Sequence, residues 1–503
     1  MTTLTPAPSS APGILSRPDG RSYLVPFALV SSLFLLWGFC NGMIDVMDKH
    51  FQEQLHLSLA QSAWVQFAHY LGYFVMALPA GWIASRVGYK GGIIAGLVMV
   101  AAGGFWFIPA THIGQFWAFL LGVCFIAAGL TFLETIANPY TTVLGPRQFS
   151  ATRINLAQSC NGVGWIFGPV AGRMFFYSAD AQGRSTGAQT LWIPYAAVGV
   201  IVLVLCILFA MADLPDLTAE DGSPQDGAVG AEEAERSAPP ARRPGLTLVL
   251  LWLNLAAIAV AIGMIAAAFS TMHDLNETRG AKILAAVALA VIVVGSPVLW
   301  ARSSKLAPAS VWNRPHFSAA TLAQFFYVAA QSGIFAYFIN YMTTQTPAAI
   351  TDQNAALLAS VAFGCFLAGR VVGSWLLKNL PAARLLGVYG ALNVLLCAVV
   401  MLKLGWVSVA AVFASYFFMS IMFPTIFALG IHGLGSRAKR ASGFIVMAIM
   451  GGAIVPKLMG RVAEHWDLSF SFVVPLFCFV VVAIYGFGWP HLAEADEIRP
   501  AGP

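Results

Sequence analysis

Long apolar runs broken by short polar turns dominate the 503-residue chain. With about 20 apolar residues taken as one membrane crossing, the pattern predicts helices over 24–47, 63–84, 91–110, 116–141, 153–176 and 191–212. The polar stretch that follows, 213–245, holds Asp, Glu, Ser, Pro and Arg with few large apolar residues and predicts an exposed linker. Two more apolar runs cover 246–269 and 281–301, and six further ones cover 317–343, 354–377, 384–402, 406–430, 441–462 and 470–489. The expected fold is an all-α polytopic membrane protein of about 14 spans. It has a six-helix half over 23–212, two additional central transmembrane helices within 246–303, and a second six-helix half over 316–489. Residues 1–22, rich in Ser, Thr and Pro, are expected to be a disordered cytoplasmic segment, and 490–503 a cytoplasmic tail. The leading segment lacks the basic, apolar, small-residue order of a secretory signal, so no cleavage is expected.

Composition removes most other classes. Hydrophobic residues make up 58% of the chain, charged residues only 10%, and mean hydropathy is +0.76, more than a soluble core needs. A net charge of +5 is ordinary where cytoplasmic loops are basic, and no nucleic-acid partner is implied. Of the 27 Lys and Arg, eighteen fall on one side of the predicted spans and eight on the other, with Arg370 inside a span. The basic-rich side faces the cytoplasm, which places both termini there in a cytoplasmic (inner) membrane. The two central helices must insert as a pair, because a single one would carry Lys378, Arg384 and the cluster at Arg437, Lys439 and Arg440 to the other side. All seven cysteines lie in apolar runs without paired spacing, which argues against a disulfide frame. The histidines are dispersed, and no metal site is expected.

The halves repeat one another. Asn138-Pro139-Tyr140 through Leu144-Gly145 has a counterpart in Phe423-Pro424-Thr425 through Leu429-Gly430 at an offset of 285, and Gly172-Arg173 matches Gly460-Arg461 at 288. Internal repetition of this kind marks transporters built around a central site. Against that background two acids stand out, Asp45 and Glu134. A carboxylate in hydrocarbon costs roughly 2.5–3.5 kcal/mol, so such groups line ion or substrate pathways. Burial disfavours the charged form of a carboxyl, and a group so held can load a proton on one side and release it on the other. Glu134 and Asn138, like Asn41 and Asp45, are four apart and share a helix face. Asp45 is followed by Asp48, Lys49 and His50, so its alternative reading is a cluster at the outer membrane surface.

Neutral polar groups accompany the acids. The fifth span carries Asn155, Gln158 and Asn161 with Trp165 one turn on, and the first span after the added pair carries Gln324, Tyr327 and Gln331 at i, i+3 and i+7. Convergent amides with an aromatic face suit a polyol better than a lipophile. Each could instead be a polar contact between packed helices.

The loop from Gly81 through Arg86 and Gly88 to Lys90 resembles the cytoplasmic signature between the second and third helices of the major facilitator superfamily, with Ser85 where that motif carries Asp. Leu133-Glu134-Thr135-Ile136-Ala137-Asn138-Pro139-Tyr140, Asn155-Leu156-Ala157-Gln158, and Ser420-Ile421-Met422-Phe423-Pro424-Thr425-Ile426-Phe427 with Phe444 to Met447 resemble the fucose:proton symporter family within it. That resemblance implies the major facilitator fold and proton-coupled sugar uptake, of L-fucose or a related hexose, by alternating access. It assigns proton coupling to Asp45 and Glu134, places Gln158, Asn161, Gln324, Tyr327 and Gln331 near the sugar, and makes the proton gradient the driving force, with no cofactor. Phe423 replaces a Tyr of the family pattern and Asn41-Gly42-Met43-Ile44 thins its Asn-rich turn, so the sugar itself is left open. The expected partners are a small-molecule sugar, protons and the lipid bilayer, with the monomer as the working unit. A proton/drug antiporter of the same superfamily and a non-transporting sugar sensor are the alternatives; an enzyme is not expected, since no catalytic motif appears.

Overall fold

The computed structural model describes residues 14–15, 22–55, 57–58, 62, 64–145, 150–176, 190–214, 244–274, 310–377, 380–432, 434 and 438–494. In the first half, α1 is Leu24–Leu55. The helical stretch Trp64–Ile113 is two helices, α2 and α3, broken at Gly88 with φ 73. That left-handed conformation favours glycine, so the break falls inside the predicted loop. Gly114, φ 64, turns the chain into α4, Phe116–Val143. α5 is Ser150–Phe175 and α6 is Trp192–Met211.

α7, Pro244–Asp274, covers the first of the two added spans; the second, at 281–301, and most of the linker lie outside the described residues. The second half has more breaks. α8 (Pro315–Ala336) continues as α9 (Phe338–Thr344) after a 43° bend. α10 is Asp352–Leu376, α11 Ala382–Met401, α12 Trp406–Met419 and α13 Met422–Ile431. α14 (Ala438–Met447), a 3₁₀ segment (Ala448–Ala453) and α15 (Val455–His465) form one interrupted span, and α16 is Val473–Glu494. Among the described residues nine helices are long and apolar enough to cross a membrane, or ten if the bent pair counts as one. α2 and α5 are not among the nine. They are predicted spans whose apolar runs are diluted by Gln66, His69, Gln158 and Asn161, which face the interior rather than lipid.

Packing repeats between the halves. α1 lies on α5 as α8 lies on the interrupted span; α3 lies on α6 as α11 lies on α16. The halves meet along two seams, α5 with α10, and α2 with α14 and the 3₁₀ segment. α7 packs on α8, where Asn254 Nδ2 donates to Leu250 O (2.8 Å) and Ser318 O (3.0 Å), and its Val260 reaches a small cluster around Phe67 and Met450 at the second seam.

Small residues set the closest crossing. Gly38 and Gly42 on α1 face Gly164 and Gly168 on α5, and a Cβ on Gly38 would collide with the Asn161 carbonyl oxygen. Such spacing lets membrane helices approach to backbone contact. Gly38→Ala should therefore destabilise the purified protein by roughly 1–3 kcal/mol, read as a lowered melting temperature in detergent. Gly364→Ala, where the added Cβ meets nothing within 4 Å, should leave it unchanged.

Candidate functional site

A cavity lies between the halves. Its first-half wall is polar: Asn41 from α1, Gln66, His69 and Tyr73 from α2, Glu134 from α4, Gln158 and Asn161 from α5. The facing wall is mostly apolar, with Val328 and Phe335 from α8, Phe366 from α10 and Phe423 from α13, interrupted by Gln331 and Arg370.

Glu134 is 2% exposed, and neither carboxyl oxygen has a hydrogen-bond partner among the described residues. Asn41 Oδ1 is buried and unpartnered as well. An unsatisfied buried polar group costs about 1–3 kcal/mol, so groups left this way on a cavity wall are positioned for something that enters. Asp45 lies on α1 one turn beyond Asn41.

The other polar groups hold one another. Gln158 Nε2 donates to Asn138 Oδ1 at 3.0 Å. Asn161 Nδ2 donates to Phe34 O at 3.3 Å, and Trp165 Nε1 donates to Asn161 Oδ1 at 3.2 Å. Trp37 Nε1 donates to the Tyr73 hydroxyl at 2.6 Å, while its ring meets Phe423 edge-on at 6.4 Å from the other half. The Trp165 ring also crosses the seam, 4.7 Å from Phe363 and 5.3 Å from Phe335.

Seven of the sequence candidates therefore share the cavity: Asn41, Glu134, Gln158, Asn161, Trp165, Gln331 and Phe423. Asn138 stands behind Gln158. Gln324 and Tyr327 are off the cavity wall. The Tyr327 hydroxyl donates to Met419 O at 3.0 Å, and Gln324, two turns from Gln331 on the same helix face, is fully buried with both side-chain polar atoms unpartnered. In the loop after α2, Arg86 stacks over Trp82 at 4.1 Å and Lys90 Nζ donates to Ala210 O and Ala212 O at 2.8 and 2.9 Å, and these contacts lie within the first half.

Arg370, noted in the sequence as lying inside a span, was given no role there, although an arginine inside an apolar span is as conspicuous as an acid. It is 3% exposed. Its Nε and Nη2 donate to Ser420 O at 3.2 and 3.1 Å, and Nη1 donates to Gln158 O, with Gln158 Oε1 and Asn161 Oδ1 at 3.5 Å. Its acceptors are thus carbonyl oxygens from both halves. Pro424 explains why Ser420 O is available: proline has no N–H to donate to the carbonyl four residues back. Across the seam at the other end of the spans, Asn340 Nδ2 donates to Gln52 Oε1 at 2.8 Å and Lys49 lies 3.7 Å from Asp352. Among the described residues no group of three or more His, Cys, Asp or Glu could hold a metal ion.

Residues 27–311 match the Major Facilitator Superfamily. The chain is 32% identical to the L-fucose-proton symporter of Escherichia coli K12, covering 93% of each. It belongs to the fucose:proton symporter family of the Major Facilitator Superfamily. Other family relatives include the L-fucose-proton symporter of Haemophilus influenzae, 30% identical over 93% of this chain and 97% of that one, and the glucose/galactose transporter of Brucella abortus, 26% identical over 96% and 98%. The crystal structure of FucP, a transporter of this superfamily, in the outward conformation superposes with a TM-score of 0.63 at 30% identity, over 93% of this chain and 99% of that one. The xylose transporter XylE of E. coli, 13% identical with a TM-score of 0.59 over 93% of this chain and 99% of that one, shares the superfamily fold. With the family come the expected all-α, two-halved architecture and a multi-pass membrane transporter.

Proposed function

We propose that this protein is a sugar:proton symporter that takes up L-fucose or a related hexose by alternating access, a transporter and not an enzyme. One observation carries the reading: a buried carboxyl, Glu134, without a hydrogen-bond partner among the described residues, on the wall of an amide- and aromatic-lined cavity between two repeated halves. Asp45 and Glu134 carry the coupled proton. Asn41, Gln158, Asn161 and Gln331 bind hydroxyls, Asn138 holds Gln158 in place, and Trp165 and Phe423 pack on the C–H face of the ring; Gln324 and Tyr327 support the wall from behind.

Protonation of the acids neutralises the cavity, and the two halves, 23–212 and 316–489, rock about their seams to reopen it inward. Gly81, Arg86, Gly88 and Lys90 stiffen the turn at the cytoplasmic edge of the first half. Both termini and the 213–245 linker are cytoplasmic, the bilayer is the inner membrane, α7 of the added pair flanks the second half, and the monomer suffices. The proton gradient is the driving force and no cofactor is invoked: one charge moving down 100 mV supplies about 2.3 kcal/mol. Export of lipophilic cations is disfavoured by Arg370, a fixed like charge on the cavity wall.

Reconstituted in liposomes with an acidic outer solution, the protein should accumulate at least one of labelled L-fucose, D-glucose and D-galactose above its outer concentration. A competition panel then ranks the hexoses. A sugar that binds but is never accumulated would instead identify a sensor.

A further inference from the structure

His69, on the polar wall of the cavity, has no role in the function proposed above. It sits on α2, 4% exposed, and lines the same cavity as Glu134. Its Nδ1 is buried without a hydrogen-bond partner among the described residues. The rings of Tyr70 and Tyr73 flank it at 4.9 and 5.0 Å. A histidine kept for packing spends a ring nitrogen on a carbonyl, as His316 does with His432 O at 3.0 Å. Such a bond also fixes the tautomer, and at His69 nothing described fixes it.

Depth in the membrane gives the ring a direction. α2 and α4 begin on the same side, because α3 returns the chain between them. His69 lies about 8 Å along α2 from Trp64, and Tyr73 one turn deeper. Gly72 packs level with Cys124 and Ala127 of α4, so Glu134, two to three turns further along α4, is deeper still. Tyr73 lies within electrostatic reach of Glu134. A proton arriving from the side where α2 begins therefore meets His69, then Tyr73, then Glu134.

Building on the symport reading above, we propose that His69 is the relay through which protons from the outer side reach Glu134. The imidazole accepts the incoming proton at one nitrogen and gives up the proton on the other, which passes by way of the Tyr73 hydroxyl or cavity water to the Glu134 carboxylate. The ring is left neutral in the opposite tautomer, and rotation of an unanchored ring restores it. No net charge is stored on the histidine, which suits a site in hydrocarbon. The titratable and charged groups facing it are Tyr70 and Tyr73 on its own helix, Glu134 on α4 and Arg370 on α10; at the start of α2, Lys457 of α15 is held 3.5 Å over the Trp64 ring. Asp45 lies on the neighbouring α1.

The test uses the full chain in liposomes with whichever of the three hexoses the wild type accumulates. His69→Gln keeps a polar side chain but cannot relay a proton. Sugar counterflow at equal pH, which needs no proton release, should stay within about twofold of wild type, whereas proton-driven uptake should fall about tenfold or more at mildly alkaline outer pH. It should recover toward wild type at mildly acidic outer pH, where protons reach Glu134 without the relay. Unchanged uptake at every pH would overturn the proposal, and so would an equal loss of counterflow and uptake at every pH, which marks a sugar-binding or packing role. If His69→Gln does not fold, His69→Asn is subjected to the same comparison. Absence of proton-driven accumulation in the wild type is a different result: it removes the symport reading, and the relay with it.

Discussion

Glu134→Gln should abolish uphill sugar accumulation while leaving counterflow in place. The amide is isosteric with the protonated carboxyl, so it mimics the loaded state and cannot release its proton to the cytoplasm. The carboxyl is buried, with the Tyr73 hydroxyl as its polar neighbour, and an amide oxygen can accept from that hydroxyl as the carboxyl does, so the effect on stability should be small. The expected signature is a split: accumulation ratio near one, exchange of labelled for unlabelled sugar within a few-fold of wild type, and melting temperature unchanged. Undiminished accumulation in this variant would remove Glu134 from the coupling step. Equal loss of exchange and accumulation would make it a sugar-binding group instead.

Arg370→Leu should be damaging in a different way. It strips Ser420 O of its donors in a buried setting, at about 1–3 kcal/mol for the group left unpaired, and removes the second donor of the Gln158 carbonyl, which keeps its own helix bond. It also unties α10 from α5 and from the end of α12, so transport and sugar binding should both fall, by about a hundredfold, with a lowered melting temperature. Arg370→Lys retains the charge but loses the planar fork that serves both halves, and should fall between. Pro424→Ala supplies the N–H that Ser420 O lacks. In that background the stability cost of Arg370→Leu should shrink by about 1 kcal/mol, a coupling measurable in a double-mutant cycle. Strict additivity would show that the proline-freed carbonyl is not what the guanidinium satisfies.

Much of this was legible in the sequence because hydrocarbon imposes a simple rule on length and polarity. The run lengths anticipated α1, α4, α6, α10, α11 and α16 to within a few residues, except that α1 continues to Leu55, and Gly88 broke α2 from α3 within the predicted loop. Breaks within spans were less visible. The 43° bend after Ala336 and the 3₁₀ segment at Ala448–Ala453 leave no interruption in hydropathy, since bent and straight helices bury the same residue types.

At the site, Glu134 announced itself as a rare charge. Gln324, Tyr327 and Gln331 were drawn together by helical period, and only Gln331 reaches the cavity. Periodicity fixes the face of a helix, whereas the depth at which that face meets a cavity depends on neighbouring helices. His69 escaped for the same reason, because its place in the cavity above Glu134 comes from the register of α2 against α4, which is set by Gly72 against Cys124. Arg370 needed no more than the rule already applied to the acids, and its partner Ser420 O could be read from Pro424.

The most direct test of the account is proton movement on adding sugar to proteoliposomes without an imposed gradient, followed by a pH-sensitive dye in the outer solution. The account predicts that a transported hexose makes the outer solution more alkaline as protons enter with it, that a protonophore removes the change, and that Glu134→Gln does not show it. Net sugar entry in the wild type with no accompanying proton entry would contradict it.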